Sequence, residues 1–322
     1  MTAVGLVHLD STAARYAASL RALGCALLLL AGLPEPSAHA TDVVMVLVSD
    51  SGPYRAAAEA CRERLEPKTG SVQTRLVSDL STSQLQSPQE DRLYIAIGAQ
   101  ATTFLARTLP PGTALVYCLV SEPELLGVVG RPNTSGVRTA VGLDPQIDLM
   151  VRALDGPLTI GVLHRSHSRR SRTTLDRLGH RLPSGWRVEA VDLDGYKSVA
   201  AGIDALLSRS VSIVWTFADP AVYDASSVRA LLLAALKART PVFGFSMPLV
   251  KAGALLGVSI DPVEQGRQAA ELALGRIADP GSPERHIGPR HDVVLNTVVA
   301  RRLGISLPPG LIREATVVFG DR

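Results

Sequence analysis

Short, wholly apolar runs alternate with helical periodicity along almost the whole chain. Val43-Val44-Met45-Val46-Leu47-Val48 is continuous and ends at Ser49-Asp50-Ser51-Gly52-Pro53, as a strand buried on both faces would. A helix is predicted over 54–65 and a second strand near 72–77. A third strand, Leu93–Ile97, ends at Gly98 and leads into a helix from Ala99; Ala114–Val120 makes the fourth. Near Pro132-Asn133-Thr134-Ser135-Gly136 a turn is predicted, and the pattern restarts. Strands are then expected over 158–163, 188–193, 211–216 and 241–245, with helices through Leu175, over 199–207 and over 264–277. The last is stopped by Asp279-Pro280-Gly281-Ser282-Pro283. Such β-α alternation predicts α/β architecture with parallel sheets, because a right-handed crossover between parallel strands needs a helix. Two successive series predict two lobes.

The first forty residues read differently. Arg15 and Arg21 precede an apolar run over 22–33, then Pro34-Glu35-Pro36-Ser37-Ala38-His39-Ala40. Basic region, short apolar core, prolines and a small-x-small end make the layout of a secretory signal peptide, with cleavage expected after Ala40. A run of that length spans about 18 Å as a helix, against roughly 30 Å for a bilayer core. Cys25 precedes most of the apolar run, which argues against lipid attachment there. Residues 41–322 are therefore expected in a bacterial periplasm.

Charge excludes one class of partner. The chain of 322 residues carries a formal net charge of +3, and its densest basic group, Arg165, Arg169, Arg170 and Arg172, contains no aromatic residue for base stacking. It reads as a solvated helix start, and no nucleic acid is expected. Cys61 falls mid-helix and Cys118 in an apolar strand, usual places for buried free thiols. Two cysteines are not a disulfide framework. No metal or other cofactor is expected: His164 and His167 lack partners at ligand spacing, and His286 and His291 flank a turn. There is no G-x-S-x-G elbow, Walker A loop or G-x-G-x-x-G fingerprint, so no catalytic residues are assigned.

In open parallel sheets ligands gather at the carboxyl ends of the strands. In the first series those positions hold Ser49, Asp50 and Tyr54, then Gly98, Ala99 and Gln100, then Ser121 and Glu122. In the second they hold His164 and Ser166, Phe217 and Asp219, and Ser246 and Met247. Hydroxyls, carboxylates and aromatics together suit a small zwitterion: helix N-termini hold a carboxylate and a buried Asp pairs an ammonium. On that reading Asp219→Ala weakens ligand binding and leaves folding nearly untouched. The same Ser and Asp residues also suit helix caps.

The C-terminal third carries a family likeness. Pro241-Val242-Phe243-Gly244, Val250-Lys251-Ala252-Gly253-Ala254-Leu255, Gly266-Arg267-Gln268-Ala269-Ala270, Asn296-Thr297-Val298-Val299-Ala300 and Leu303-Gly304-Ile305 with Leu307-Pro308 follow in order. In that order and spacing the chain resembles the ABC-transporter substrate-binding proteins whose better-known members take aromatic amino acids. Pro132-Asn133-Thr134-Ser135-Gly136-Val137 resembles the family's Asn-x-x-Gly-Val turn. The likeness implies a type I periplasmic binding fold: two Rossmann-like lobes, three crossovers and a ligand in the cleft, captured by hinge closure. It divides the mature chain into a first lobe of residues 41–137 and 256–288 and a second of residues 138–255 and 289–322. It implies a monomer working with an inner-membrane ABC permease. The sequence departs from the family at Ser121-Glu122-Pro123, where an Asp-Pro-Val turn is usual, while Asp219 matches an acidic position of many members. The alternatives are a periplasmic sensing protein of the same fold acting with a membrane receptor or kinase, and an exported α/β enzyme.

Overall fold

The structure, a computed structural model, describes residues 41–86 and 92–321. The expected signal peptide, its cleavage point after Ala40 and Cys25 lie outside the described residues. Two sheets organise the rest. The first contains β1 (Asp42–Leu47), β2 (Val72–Leu76), β3 (Arg92–Ile97), β4 (Ala114–Val120), β5 (Thr134–Arg138) and the short β11 (His286–Ile287). Its order is β11-β5-β4-β3-β1-β2, parallel throughout. The second contains β6 (Thr159–His164), β7 (Arg187–Asp192), β8 (Ile213–Trp215), β9 (Val242–Gly244), β10 (Leu256–Ser259), β12 (Asp292–Asn296) and β13 (Val317–Phe319). The order here is β13-β12-β10-β9-β8-β6-β7, antiparallel only between β10 and β12.

The continuous apolar runs are the central strands. Met45, Ile95, Val116 and Cys118 face one side of the first sheet, and Val46, Ala96, Leu115 and Tyr117 the other. Helices Gly52–Leu65 and Pro262–Ala278 cover the first of these faces, where Ala57, Ala58, Ala269, Ala270 and Ala273 are buried. Small residues let the two helices approach closely. A Cβ on Gly266 would lie 2.1 Å from the Ala57 carbonyl oxygen. Cys61 and Cys118 are buried free thiols; burial pushes Cys118 up to about 12 and Cys61 upward as well.

Two local expectations are corrected. The turn expected at Thr134–Gly136 is the buried strand β5, and the turn itself is confined to Pro132-Asn133, where Asn133 adopts φ +55°. The run looks turn-like because Tyr117 lies flat against it: a Cβ on Gly136 would fall 2.4 Å from that ring. Leu256–Ser259, expected in the first lobe, pairs with β9 and β12 of the second sheet. Its return to the first sheet begins only with the helix Pro262–Ala278. The chain thus passes between the sheets at residues 139–142, 260–261 and 288–291.

Candidate functional site

Strand order brings the predicted positions together within each sheet. β1, β3 and β4 are close neighbours, so the segments beginning at Ser49, Gly98 and Ser121 share one end of the first sheet. β6, β8 and β9 are consecutive in the second, which groups His164, Phe217 and Ser246. The two ends meet: Arg170 Nη2 donates to Glu122 Oε2 at 2.8 Å, and Arg170 Nη1 to the Ala218 carbonyl at 2.8 Å.

On the first lobe, the helices Gly52–Leu65 and Ala99–Thr108 begin without a side-chain cap and without an acidic residue in the first turn. Their leading N–H groups suit an anion. Gly98, at φ +99°, lets the chain turn from β3 into its helix and leaves room for Tyr54; a Cβ there would sit 2.7 Å from the ring. Ala99 and Gln100 are exposed at that helix start and border a shallow groove of about 590 Å³ with Phe104 and Leu126. Ser49 bonds Ser51 at 2.8 Å, and Ser121 accepts from Thr139 at 3.1 Å. Asp50 is turned to its own helix, held by Arg55 through two 3.0 Å bonds, and Glu122 is occupied by Arg170.

The second lobe supplies an aromatic wall. Phe217 stacks on Trp215 at 5.4 Å, meets Tyr223 edge-on at 5.9 Å, and Tyr223 lies 6.0 Å from Phe245. Such pairs prefer stacked or edge geometries and rigidify the wall. Two buried polar atoms there have no hydrogen-bond partner among the described residues: His164 Nδ1 and the Tyr223 hydroxyl, whose residue is 8% exposed. Ser246 and Met247 are half-buried at the start of the short helix Met247–Ala252. Ser166 is directed elsewhere, donating its N–H to Asp192 and its hydroxyl to Asp194, each at 3.1 Å.

Asp219 departs furthest from expectation. It is 3% exposed; its Oδ2 accepts from Ser168 at 2.7 Å and Ser171 at 2.8 Å, and its Oδ1 from the Ala221 N–H at 3.0 Å. It therefore ties the start of helix Arg169–Gly179 to the loop after β8, so Asp219→Ala is expected to cost stability, where the sequence alone predicts folding nearly untouched. Burial alone would raise its pKa; the Ser168 and Ser171 hydroxyls, the Ala221 N–H and the Arg170 charge bring it below the ordinary value. A depressed folded value means the carboxylate stabilises fully above the unfolded value of about 3.9, and the benefit is lost as pH falls below it. Asp219→Asn is expected to be less stable than wild type at pH 7 and to lose less on acidification from pH 5 to pH 2. Urea midpoints across that range test it; parallel curves would remove Asp219 from the acid response.

The basic group at the start of the same helix is also not simply solvated. Arg165 bonds Asp194 at 2.8 Å and the Ala221 carbonyl at 2.7 Å, and Arg172 bonds the Ser166 carbonyl.

A sequence model of the family described as ABC transporter substrate binding protein matches residues 89–319. The chain belongs to that family. A ligand-free, open substrate-binding protein with adhesive properties from Clostridium difficile superposes with TM-score 0.70 at 20% identity, over 87% of this chain and 100% of that one. A Streptococcus pneumonia ABC domain in complex with L-Trp gives 0.60 at 18% identity, again over 87% and 100%. A conserved domain protein from Vibrio cholerae O1 biovar El Tor gives 0.59 at 18%, over 87% and 99%. No curated protein is significantly similar in sequence. The expected two-lobed type I periplasmic binding fold is thereby shown. The role is solute binding, in a family of substrate-binding proteins, not of enzymes, that work with ABC permeases and are typically extracytoplasmic. No helix among the described residues is long and apolar enough to cross a membrane.

Sequence reasoning missed Tyr223, Phe245 and Arg170. Phe245 directly follows Gly244 at the end of β9 and was legible by register. Tyr223 lies well into a long loop, where no periodicity marks it.

Proposed function

We propose that the mature chain is the periplasmic solute-binding component of an ABC importer. It captures a small carboxylate-bearing molecule between its lobes by hinge closure, and aromatic amino acids are the first candidates. The observations that support this reading are the aromatic group of Phe217, Tyr223 and Phe245 with two unpartnered buried polar atoms on the second lobe, and two uncapped helix N-termini on the first. An unpaired buried polar group costs about 1–3 kcal/mol, a penalty that a ligand supplying the partner removes. The aromatic faces suit a planar side chain, and the helix N-termini a carboxylate. Ser49, Tyr54, Ala99, Gln100 and Ser121 border the anion end; His164, Ser246 and Met247 border the ring end. The signal peptide is cleaved after Ala40, so the exported protein begins at Thr41, which mass spectrometry of the secreted form checks.

Thermal unfolding against Trp, Tyr, Phe, Leu, Val, short peptides and purines tests the ligand class. A ligand at a hundred times its dissociation constant adds about 2.7 kcal/mol, a shift of several degrees for a chain of this size. No shift with any compound removes the amino-acid reading. A companion variant separates stability from binding. Tyr223→Phe deletes an unsatisfied hydroxyl, so its melting temperature without ligand is expected to be equal or higher, while ligand affinity falls about tenfold or more. Lower stability with unchanged affinity would make Tyr223 a core residue only.

A further inference from the structure

Glu122 and Arg170 stand on different lobes. Glu122 follows β4 of the first sheet, and Arg170 lies in the first turn of helix Arg169–Gly179 behind β6 of the second. Their 2.8 Å ion pair is partly shielded, with the two side chains 35% and 29% exposed. Arg170 is also fixed from behind by the Ala218 carbonyl, so its guanidinium is presented across the cleft with little freedom to lose. Seven residues along the same helix, Arg177 lies on the same face and within Coulombic reach of Glu124, which itself pairs with Arg138 at the end of β5. A short acidic loop of one lobe thus meets a basic helix face of the other.

We propose that Glu122 and Arg170 are positioning residues for capture: an interlobe latch that holds the cleft closed through protein–protein charge. The pair bridges the lobes next to the first crossing, where the Thr139 N–H and hydroxyl are held by Val120 and Ser121 at 3.0 and 3.1 Å, so rotation of one lobe against the other about that crossing changes it. It contributes to the closed arrangement without touching solute, so it sets affinity for every ligand by the same factor. Its strength falls with salt, because a partly exposed pair is screened. The inference rests on the two-lobed fold and not on the identity of the ligand.

Small-angle scattering of the protein without added ligand, at 20 mM and 500 mM salt, tests it. Wild type is expected to expand at high salt. Glu122→Gln and Arg170→Glu are expected to be expanded at both, and the exchange variant Glu122→Arg with Arg170→Glu to regain the low-salt compact radius. Once any ligand is in hand, the single variants are expected to bind it about fivefold more weakly, with recovery in the exchange variant. Radii independent of both salt and mutation, or no recovery on charge exchange, overturn the latch. If Arg170→Glu fails to fold, the wild-type salt series and Glu122→Gln decide alone. Failure of the amino-acid panel leaves this result standing, since scattering needs no ligand.

Discussion

Gly266→Ala is expected to destabilise the protein by roughly 3 kcal/mol. The added methyl would lie 2.1 Å from the Ala57 carbonyl oxygen and 2.8 Å from its carbon, so its obstacle is the backbone of helix Gly52–Leu65. A flexible side chain could move aside; a packed helix cannot without carrying Ala58 and Cys61 with it, all buried in one cluster with Ala269, Ala270 and Ala273. Overpacking of this kind costs about 1–3 kcal/mol even where relief is available, and here relief requires two helices to separate. Gly275→Ala is the matched control: the same helix, the same chemistry, and nothing within 4 Å of the new Cβ. Helix propensity there favours Ala by up to about 1 kcal/mol. Urea unfolding of the two variants should therefore differ in sign, and equal effects would show that propensity, not contact, governs Gly266.

The difference between these glycines marks where the sequence was readable. Both sit in a helix that periodicity and the Asp279-Pro280-Gly281 stop identify. Nothing local distinguishes Gly266, because its constraint comes from Ala57, two hundred residues earlier. The same separation explains the strands. β1, β3 and β4 are buried on both faces and declare themselves as apolar runs, whereas β5 opens on Thr134-Ser135-Gly136, with Tyr117 filling the space beside Gly136. No strand is predicted at β10, and its sheet is chosen by pairing with β9 and β12, which no pattern within Leu256–Ser259 encodes.

The candidate site divides along the same line. Strand ends were legible, so Gly98, Phe217 and Ser246 fall just beyond β3, β8 and β9. Side-chain partners were not. Asp219 and Asp50 look alike in sequence, yet one is buried under two serine hydroxyls and the other is paired with Arg55 at the surface. Glu122 looks free for a ligand until the fold brings Arg170 to it from 48 residues away.

Gln265→Leu is expected to cost about 2–4 kcal/mol and to loosen the hinge. Gln265 is fully buried: its carbonyl accepts from the Leu119 N–H at 3.2 Å and its amide donates to the Arg138 carbonyl at 3.1 Å. Leu conserves volume but leaves both backbone groups without that partner, and a buried unsatisfied group costs about 1–3 kcal/mol each. The position matters beyond stability, because Arg138 is the last residue of β5 before the crossing at 139–142. Gln146 holds the other side of that crossing through the Val141 and Gly142 carbonyls at 2.9 and 3.2 Å, while accepting from Trp215 Nε1 at 2.9 Å in the second lobe. Gln268, three residues beyond Gln265, binds the Gly288 carbonyl and the Arg290 N–H of the third crossing at 3.2 and 2.9 Å. Each of these amides uses donor and acceptor together, which a charged or apolar side chain of that size cannot do. These bonds hold both flanks of the first crossing and leave Thr139 and Ala140 between them. Releasing one flank should therefore raise amide hydrogen exchange at Leu119 and at residues 138–142 more than at β1 or β3. Uniform acceleration across the first sheet would instead mean that Gln265 contributes only to global stability.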